Sequence, residues 1–320
     1  MHAFIASAAL ILERRLGYSP RLVAAVGHPV MWFGTIIDFL ETRLNTPERT
    51  ARQRRDAGIV ALGGLLVLLL VIAVAAQQAL RAIPGGWLLE ILVATPFLAQ
   101  KELGRAVEAV ATALRTSLEA GREAVSHIVG RDPQTLDEAG VARAAIETLA
   151  ESTSDGVVAP WFWLVIFGLP GIALYKAINT ADSMIGHMNE RYRDYGWAAA
   201  KLDDLVNWIP ARLTSLLITA ACFFTPHASP GSAWSIADRD ASKHASPNSG
   251  WPEASFAGAL GFKLGGPRSY DGERVDLPSF GDGKSELVGS DILRALVLYH
   301  STLNVLLGVS VVMALLAWVA

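Results

Sequence analysis

Long apolar runs alternate with short charged stretches along the chain, and that alternation predicts most of the architecture. Residues 57–80, 156–175, 213–237 and 295–320 contain no Asp, Glu, Lys or Arg. Several of them reach the roughly 20 residues a helix needs to cross a bilayer. GIVALGGLLVLLLVIAVAAQQAL (58–80) is the strongest span, and 295–320 is the last transmembrane helix. Residues 1–12 read as a short, tilted first membrane helix, without the basic start of a signal peptide. In MWFGTIIDFLETRLN (31–45) the apolar residues recur at helical spacing, which predicts an interfacial helix rather than a span. After the Pro84-Gly85-Gly86 turn, residues 87–100 are expected to return through the membrane as the second arm of a hairpin. Residues 157–178 are apolar enough to span, yet Pro160, Gly168, Pro170 and Gly171 interrupt them. Such broken segments are tolerated where their backbone lines a protein cavity. Residues 205–224 offer one more span. The expected fold is all-α: a polytopic integral membrane protein with four to six membrane-embedded helices, one broken or re-entrant, plus cytoplasmic helical segments.

The segments between the spans complete a single membrane domain over 1–320. Residues 41–57 carry five Arg against three acids; directly before a strong span, that excess marks a basic cytoplasmic loop. Residues 101–156 predict a cytoplasmic helical segment, with one helix over about 101–128 and a second opened by a capping box of Thr135 and Glu138. Residues 225–292, rich in Pro and Gly, read as a long aqueous loop.

The densest chemistry lies in a polar block at 176–213. KAINTADSMIGHMNERYRD (176–194) predicts one helix. Its apolar stripe is Ile178, Ala181, Ile185, Met188 and Tyr192, with Asn179, Asp182, Ser183, Gly186, His187, Asn189 and Glu190 on the other side. Those polar groups are short and directional, unlike a Lys/Glu-rich solvated face, and Gly186 leaves room for a ligand. Asp182 and Glu190 offer the oxygen ligands that Mg²⁺ prefers; a polar helix-packing face is the alternative. Asp203, Asp204 and Asn207 share one helical edge at the start of an apolar segment, where ionisable groups are costly and usually functional. A solvated helix end is the plainer reading. Arg212 either meets a phosphate or snorkels to the interface.

Outside that block the signals are sparser. Glu147 and Glu151 repel at i, i+4 unless a cation or basic partner lies between them, and Asp155 follows one turn on. His28 precedes Pro29, where a structural role is the commoner one. ASPNSGWPEASFAGALG (245–261) places turn residues ahead of a helix beginning near Pro252 and Glu253, a setting that suits an anion. Gly283-Lys284-Ser285 imitates the end of a phosphate-binding loop, but Pro278 stands where the first Gly is required.

Composition narrows the classes further. The 320 residues hold 27 Lys+Arg against 30 Asp+Glu, a net charge of −3, and only 18% are charged. That is below the roughly 25% of soluble domains and excludes a water-soluble enzyme. Without a basic excess, nucleic acid is not a main partner. One cysteine, Cys222, rules out an intrachain disulfide and every multi-cysteine metal motif.

Several stretches resemble the CobD/CbiB family of membrane-bound adenosylcobinamide-phosphate synthases. They are GHPV (27–30), SHIVGRDPQTLDEAGVARAAIETLAES (126–152), SDGVVAP (154–160), YKAINTADSMIGHMNERYRDYGWAAAKLDDLVNWIPARL (175–213) and SPNSGWPEASFAGALG (246–261). The chain departs from the family pattern at Met31, Ser152 and Met188, and at Tyr18-Ser19. The resemblance implies cobalamin biosynthesis: ATP-dependent amide ligation of adenosylcobyric acid, a corrinoid acid, with (R)-1-amino-2-propanol O-phosphate or free aminopropanol. With Mg²⁺ and ATP as co-substrate, it implies Asp182, His187, Glu190 and Glu151 as catalytic residues. Asn179, Ser183, Asn189, Arg191, Arg212, Asn248, Ser249, Glu253 and His28 would bind substrate or ATP. Asp182, Glu190, Asp203, Asp204 and Asn207 would serve the metal. The expected setting is the cytoplasmic membrane, multi-pass, with the active site facing the cytoplasm. Beyond the lipid bilayer, the expected partners are other late cobalamin-pathway membrane enzymes, and no nucleic acid. A membrane transporter, or a different Mg-dependent membrane transferase, is the alternative.

Overall fold

The computed structural model describes residues 1–18, 23–25, 27–130, 133–266, 268–270, 273–275 and 277–319. Ser19, and the Arg131-Asp132 pair within the 126–152 stretch, lie outside the described residues. In chain order the helices are α1 (His2–Leu16), α2 (Pro29–Leu44), α3 (Ala51–Arg81), α4 (Trp87–Ala94), α5 (Gln100–Leu114), α6 (Leu118–Ser126) and α7 (Glu138–Thr153). They continue with α8 (Ala159–Ile185), α9 (Trp197–Val206), α10 (Trp208–Ala221), α11 (Pro230–Asp240), α12 (Gly250–Leu260) and α13 (Gly289–Val319). Four short strands, β1 (Leu264–Gly265), β2 (Arg268–Tyr270), β3 (Glu273–Val275) and β4 (Ser279–Phe280), pair antiparallel as β1–β4 and β2–β3. The all-α class expected from the sequence holds.

Among the described residues, four stretches are long and apolar enough to cross a membrane: Val23–Leu44, Ala51–Arg81, Glu138–Ile185 and Gly289–Val319. A fifth arises if α9 and the segment Trp208–Phe224 form one span broken at Asn207. The stretch Val23–Leu44 thus has the length of a span, where the sequence suggested an interfacial helix. The expected return arm at 87–100 does not form as a continuous helix. α4 has eight residues and gives way to a 3-10 turn at Thr95–Phe97, because Pro96 cannot continue the α-helical ladder. At 1.5 Å per residue, α4 covers only about 12 Å.

The chain divides into two compact units. The first comprises Met1–Ala99, Ala159–Asn207 and Ser310–Ala320. Its central element is α8, against which α1, α2, α3 and α9 pack. The interruption expected in 157–178 is real and sits at Gly168, whose φ of 69° and ψ of −148° leave the helical region ahead of Pro170. A Cβ there would strike Gln77 Oε1 and His2 Nε2, so both the backbone angle and the space demand glycine. Gln77 reaches over from α3 and accepts the Leu169 N–H at 2.8 Å. A second polar link ties α1 to α13: the Ser7 and Ser310 hydroxyls lie 2.7 Å apart, and the Trp161 indole N–H donates to Ser310 Oγ at 2.9 Å. The expected basic loop at 41–57 is mostly helical. Its Thr50 and Gln53 form a reciprocal capping box that starts α3, while Arg54 pairs with Asp194 at 3.1 Å and Arg55 lies over the Trp197 ring.

The second unit comprises Gln100–Val158 and Trp208–Val309. The helix expected over 101–128 is interrupted between Leu114 and Leu118, where Ser117 caps α6. The N-cap of α7 is Asp137, whose Oδ1 accepts the Gly140 N–H at 2.7 Å; the Thr135–Glu138 box predicted from spacing does not open the helix. The expected long loop at 225–292 is instead largely ordered. It contains α11, α12 and the strand pairs, and α12 is buried along its whole length, packed by α7, α10 and α11. Its Ala- and Gly-rich sequence permits that crowding, and the same composition reads as a loop when only polarity is counted. Asp240, fully buried, accepts from Arg239, from Lys243 and from the Gly281 N–H, joining α11 to β4.

Candidate active site

The first unit gathers carboxylates and amides where α8 meets α9. Asp203 Oδ2 accepts from Asn207 Nδ2 at 2.9 Å, and its Oδ1 accepts from Asn179 Nδ2 at 3.4 Å. Asn207 is 1% exposed and accepts the Tyr175 hydroxyl proton on its own Oδ1 at 2.9 Å. Lys176 Nζ donates to Asn179 Oδ1 at 3.3 Å. A chain of donors from Tyr175, Asn207, Asn179 and Lys176 therefore orients one carboxylate, and Asp182 stands within electrostatic reach of it. Two like charges within reach of each other disfavour ionisation of both unless a positive charge offsets them. Asp204 is adjacent and 3.4 Å from Lys201 Nζ.

The reason for the gathering is local. Asn179 and Asp182 are three apart on α8, and Asp203 and Asn207 four apart across the end of α9, so each pair shares a helical edge. The buried stripe expected behind them is present at Ile178, Ala181 and Ile185. It ends there because α8 ends at Ile185, with the Gly186 N–H bonded to Asp182 O. Met188, predicted for the stripe, is 80% exposed. Gly186 does not leave an open space for a ligand as expected: a Cβ at that position would collide with the Asp182 carboxylate. The carboxylate itself fills the gap.

Because α8 stops early, His187, Asn189 and Glu190 leave its polar face, and Arg191 also lies beyond the helix. His187 and Glu190 are exposed on the segment beyond the helix. Asn189 Oδ1 accepts the Tyr192 N–H at 2.9 Å and shapes a turn. Arg191 makes a bidentate pair with the buried Glu41, at 2.9 and 2.7 Å. Ser183 donates to the Asn179 carbonyl. His28 caps α2 by accepting the Val30 N–H on Nδ1 at 3.2 Å.

A second polar cluster belongs to the other unit. Glu147, 5% exposed, accepts the Gly265 N–H at 2.7 Å, and Glu151 accepts the Ser249 hydroxyl proton at 2.9 Å. The two acids at i, i+4 thus each accept a hydrogen bond from a different segment of the same unit. Within the 245–253 segment, Ser246 Oγ accepts the N–H groups of Asn248 and Ser249, both themselves buried. Arg212 donates to Asn248 Oδ1 at 3.3 Å and lies against Trp208 and Trp251, 4.3 and 5.0 Å from their ring centroids. Its guanidinium is thereby oriented by cation–π contact. Glu253 is 2% exposed, with His244 Nε2 3.5 Å from its Oε1. Lys284, in the sequence that imitates a phosphate loop, pairs with Asp291 at 2.6 Å.

Sequence reasoning missed Tyr175, Lys176 and His244. The first two stand one helical turn before Asn179, a spacing that could have flagged them; His244 lies just outside the motif it serves. Among the described residues no group of three or more His, Cys, Asp or Glu side chains is arranged to hold a metal ion. The predicted set of Asp182, Glu190, Asp203, Asp204 and Asn207 is not assembled as one, since Glu190 lies beyond the helix. One or two carboxylates plus substrate phosphates is nevertheless the usual environment of Mg²⁺, and Asp182 with Asp203 fits that donor set.

No solved structure matches the chain. The family model described as CobD/Cbib protein matches residues 6–299. A protein named "Cobalamin biosynthesis protein CobD" from Brucella anthropi is 48% identical over 98% of this chain and 97% of its own. Proteins of the same name from Sinorhizobium sp. and Rhodobacter capsulatus are each 45% identical, over 98% and 97% of this chain and 98% and 95% of theirs. With the family model and these relatives covering nearly its whole length, the chain belongs to the CobD/Cbib family of cobalamin-biosynthesis proteins.

Proposed function

We propose that the chain is an ATP-dependent acid–amine ligase, joining the carboxylate of adenosylcobyric acid to (R)-1-amino-2-propanol O-phosphate or to free aminopropanol. The observation that carries this reading is the Asp203 carboxylate held by Asn179 and Asn207 beside Asp182. A carboxylate is a poor acyl donor, so phosphoryl transfer from ATP must first give it a better leaving group, and catalysis of that transfer is mainly positioning and charge stabilisation. Mg²⁺, entering with ATP, neutralises phosphate charge; Asp182 and Asp203 are the residues to hold it. The second unit carries a polar cluster of its own, in which Arg212 and Asn248 offer donors suited to a phosphate and Glu253 a carboxylate able to take an ammonium proton. The setting is the cytoplasmic membrane with the site open to the cytoplasm, where ATP is available, alongside other late enzymes of the pathway.

The test is purified protein in detergent or nanodiscs with Mg-ATP. ATP consumption that requires both the corrinoid acid and an aminopropanol compound supports the reading. ATP turnover indifferent to either substrate, or product formed without ATP, overturns it.

A further inference from the structure

We infer that His244 is the positioning residue of the base, fixing Glu253 and the Asn248–Ser249 loop with its two ring nitrogens. The inference rests on the ligase reading above and names a residue that reading did not contain. His244 Nδ1 accepts the Ser246 N–H at 2.9 Å. Nδ1 also lies 3.3 Å from the Ser246 carbonyl oxygen, but the shorter contact is the one with the Ser246 N–H, which needs a lone pair on Nδ1 and so assigns the proton of the neutral ring to Nε2. Nε2 is the nitrogen 3.5 Å from Glu253 Oε1. The tautomer set by the loop thus turns the N–H toward the carboxylate. On the other side, Ser246 Oγ takes the N–H groups of Asn248 and Ser249, and Asn248 receives Arg212. One imidazole therefore joins the loop that presents phosphate donors to a carboxylate 2% exposed to solvent.

A carboxylate at that depth is costly to keep ionised, and an adjacent N–H lowers the cost. In the ligation step Glu253 takes one proton from the ammonium. The freed nitrogen lone pair forms the C–N bond, the acyl C–O bond to phosphate breaks with its electron pair leaving on phosphate, and the departing phosphate takes the second nitrogen proton to leave the neutral amide. His244 touches none of the reacting atoms; it holds the acceptor.

Two substitutions separate the ring's two bonds. In His244→Asn the amide oxygen stands near the Nδ1 position and can still accept from Ser246, but nothing reaches Glu253. In His244→Gln the amide nitrogen stands near Nε2 and can still donate to Glu253, while the loop bond is lost. Both remove the ring packed 5.9 Å from Phe280, so that loss cancels in the comparison. Ligation is measured with Mg-ATP, corrinoid acid and aminopropanol phosphate, at matched amounts of inserted protein. His244→Asn is expected to lower kcat by about tenfold or more, but by less than the roughly 100-fold to 10,000-fold that a general base itself contributes, with the KM for Mg-ATP unchanged. His244→Gln is expected to restore most of kcat. The reverse ranking, with Asn active and Gln impaired, overturns the inference and leaves a loop-folding role. Equal activity of both variants with wild type also overturns it, while the ligase reading stands. A wild-type protein that forms no amide defeats the ligase reading, and this inference with it.

Discussion

Gln77 Oε1 accepts the backbone N–H of Leu169 at 2.8 Å. A side chain of α3 thereby closes the break in α8 at Gly168. Without it, an amide donor freed by the break would lie in an apolar surrounding, where a lost partner costs about 1–3 kcal/mol. Gln77→Leu is expected to lower the thermal unfolding midpoint of the protein in detergent, and Gln77→Glu, which keeps an acceptor oxygen, to lower it less. Equal stability of wild type and Gln77→Leu would show that the bond contributes nothing.

Gly186 offers a test of the carboxylate cluster that leaves its charges in place. A Cβ at this position meets the Asp182 carboxylate. Gly186→Ala should therefore push Asp182 aside and cut kcat, approaching the loss in Asp182→Asn, which is expected to abolish turnover in folded, inserted protein. Wild-type turnover in Asp182→Asn would remove this residue from the site. Turnover in Gly186→Ala equal to wild type would show that the carboxylate position is not critical.

Asn248→Ala should weaken substrate binding without reducing the amount of inserted protein. The amide oxygen orients Arg212 at 3.3 Å, and the segment is buried and hydrogen-bonded rather than a free tether. A rise in KM for the phosphorylated amine, measured against free aminopropanol, is the expected signature. Unchanged KM and kcat for both amines would return the segment to a purely structural role.

Asp240 predicts an acid limit to stability. Its bonds with Arg239, Lys243 and the Gly281 N–H hold its carboxyl well below the usual carboxylate range. Because the folded-state value is depressed, the contribution is fully present above the unfolded carboxylate value near about 4 and is lost as pH falls below it. Asp240→Asn should unfold more readily than wild type at neutral pH, with the difference shrinking as the pH is lowered through that range. A gap that stays constant with pH would mean that the carboxylate's charge is not what holds α11 to β4.

How much of this was legible in the sequence depended on whether the signal was local. The strong spans, the interruption at Gly168 and the buried stripe Ile178–Ala181–Ile185 follow from composition and periodicity along one stretch of chain. The pairing of Asp203 with Asn207 follows from spacing on one helix. The end of α8 at Ile185 was not legible, because the polar period continues through 186–194 although Gly186 closes the helix. That single boundary moved His187, Asn189 and Glu190 off the face. The partners of Arg191 and Glu147 were not legible either. Glu41 and Gly265 lie 150 and 118 residues away, and no periodicity reports on contacts at such separation. The 225–292 segment misled for a different reason: small residues allow close helix packing as well as turns, and α12 uses them for packing.

The bond between Ser7 and Ser310, with the Trp161 N–H on the same oxygen, also constrains the order in which the protein can be made. The first unit uses three separate stretches of chain, and the last of them begins at Ser310. During synthesis, α1 and α8 are made long before α13 is translated. Until then the Trp161 N–H lacks the oxygen it will use, and the unit is an open assembly that must be kept from pairing wrongly. A nascent chain halted before residue 310 should therefore be a substrate for membrane quality control even though most of its helices are already made.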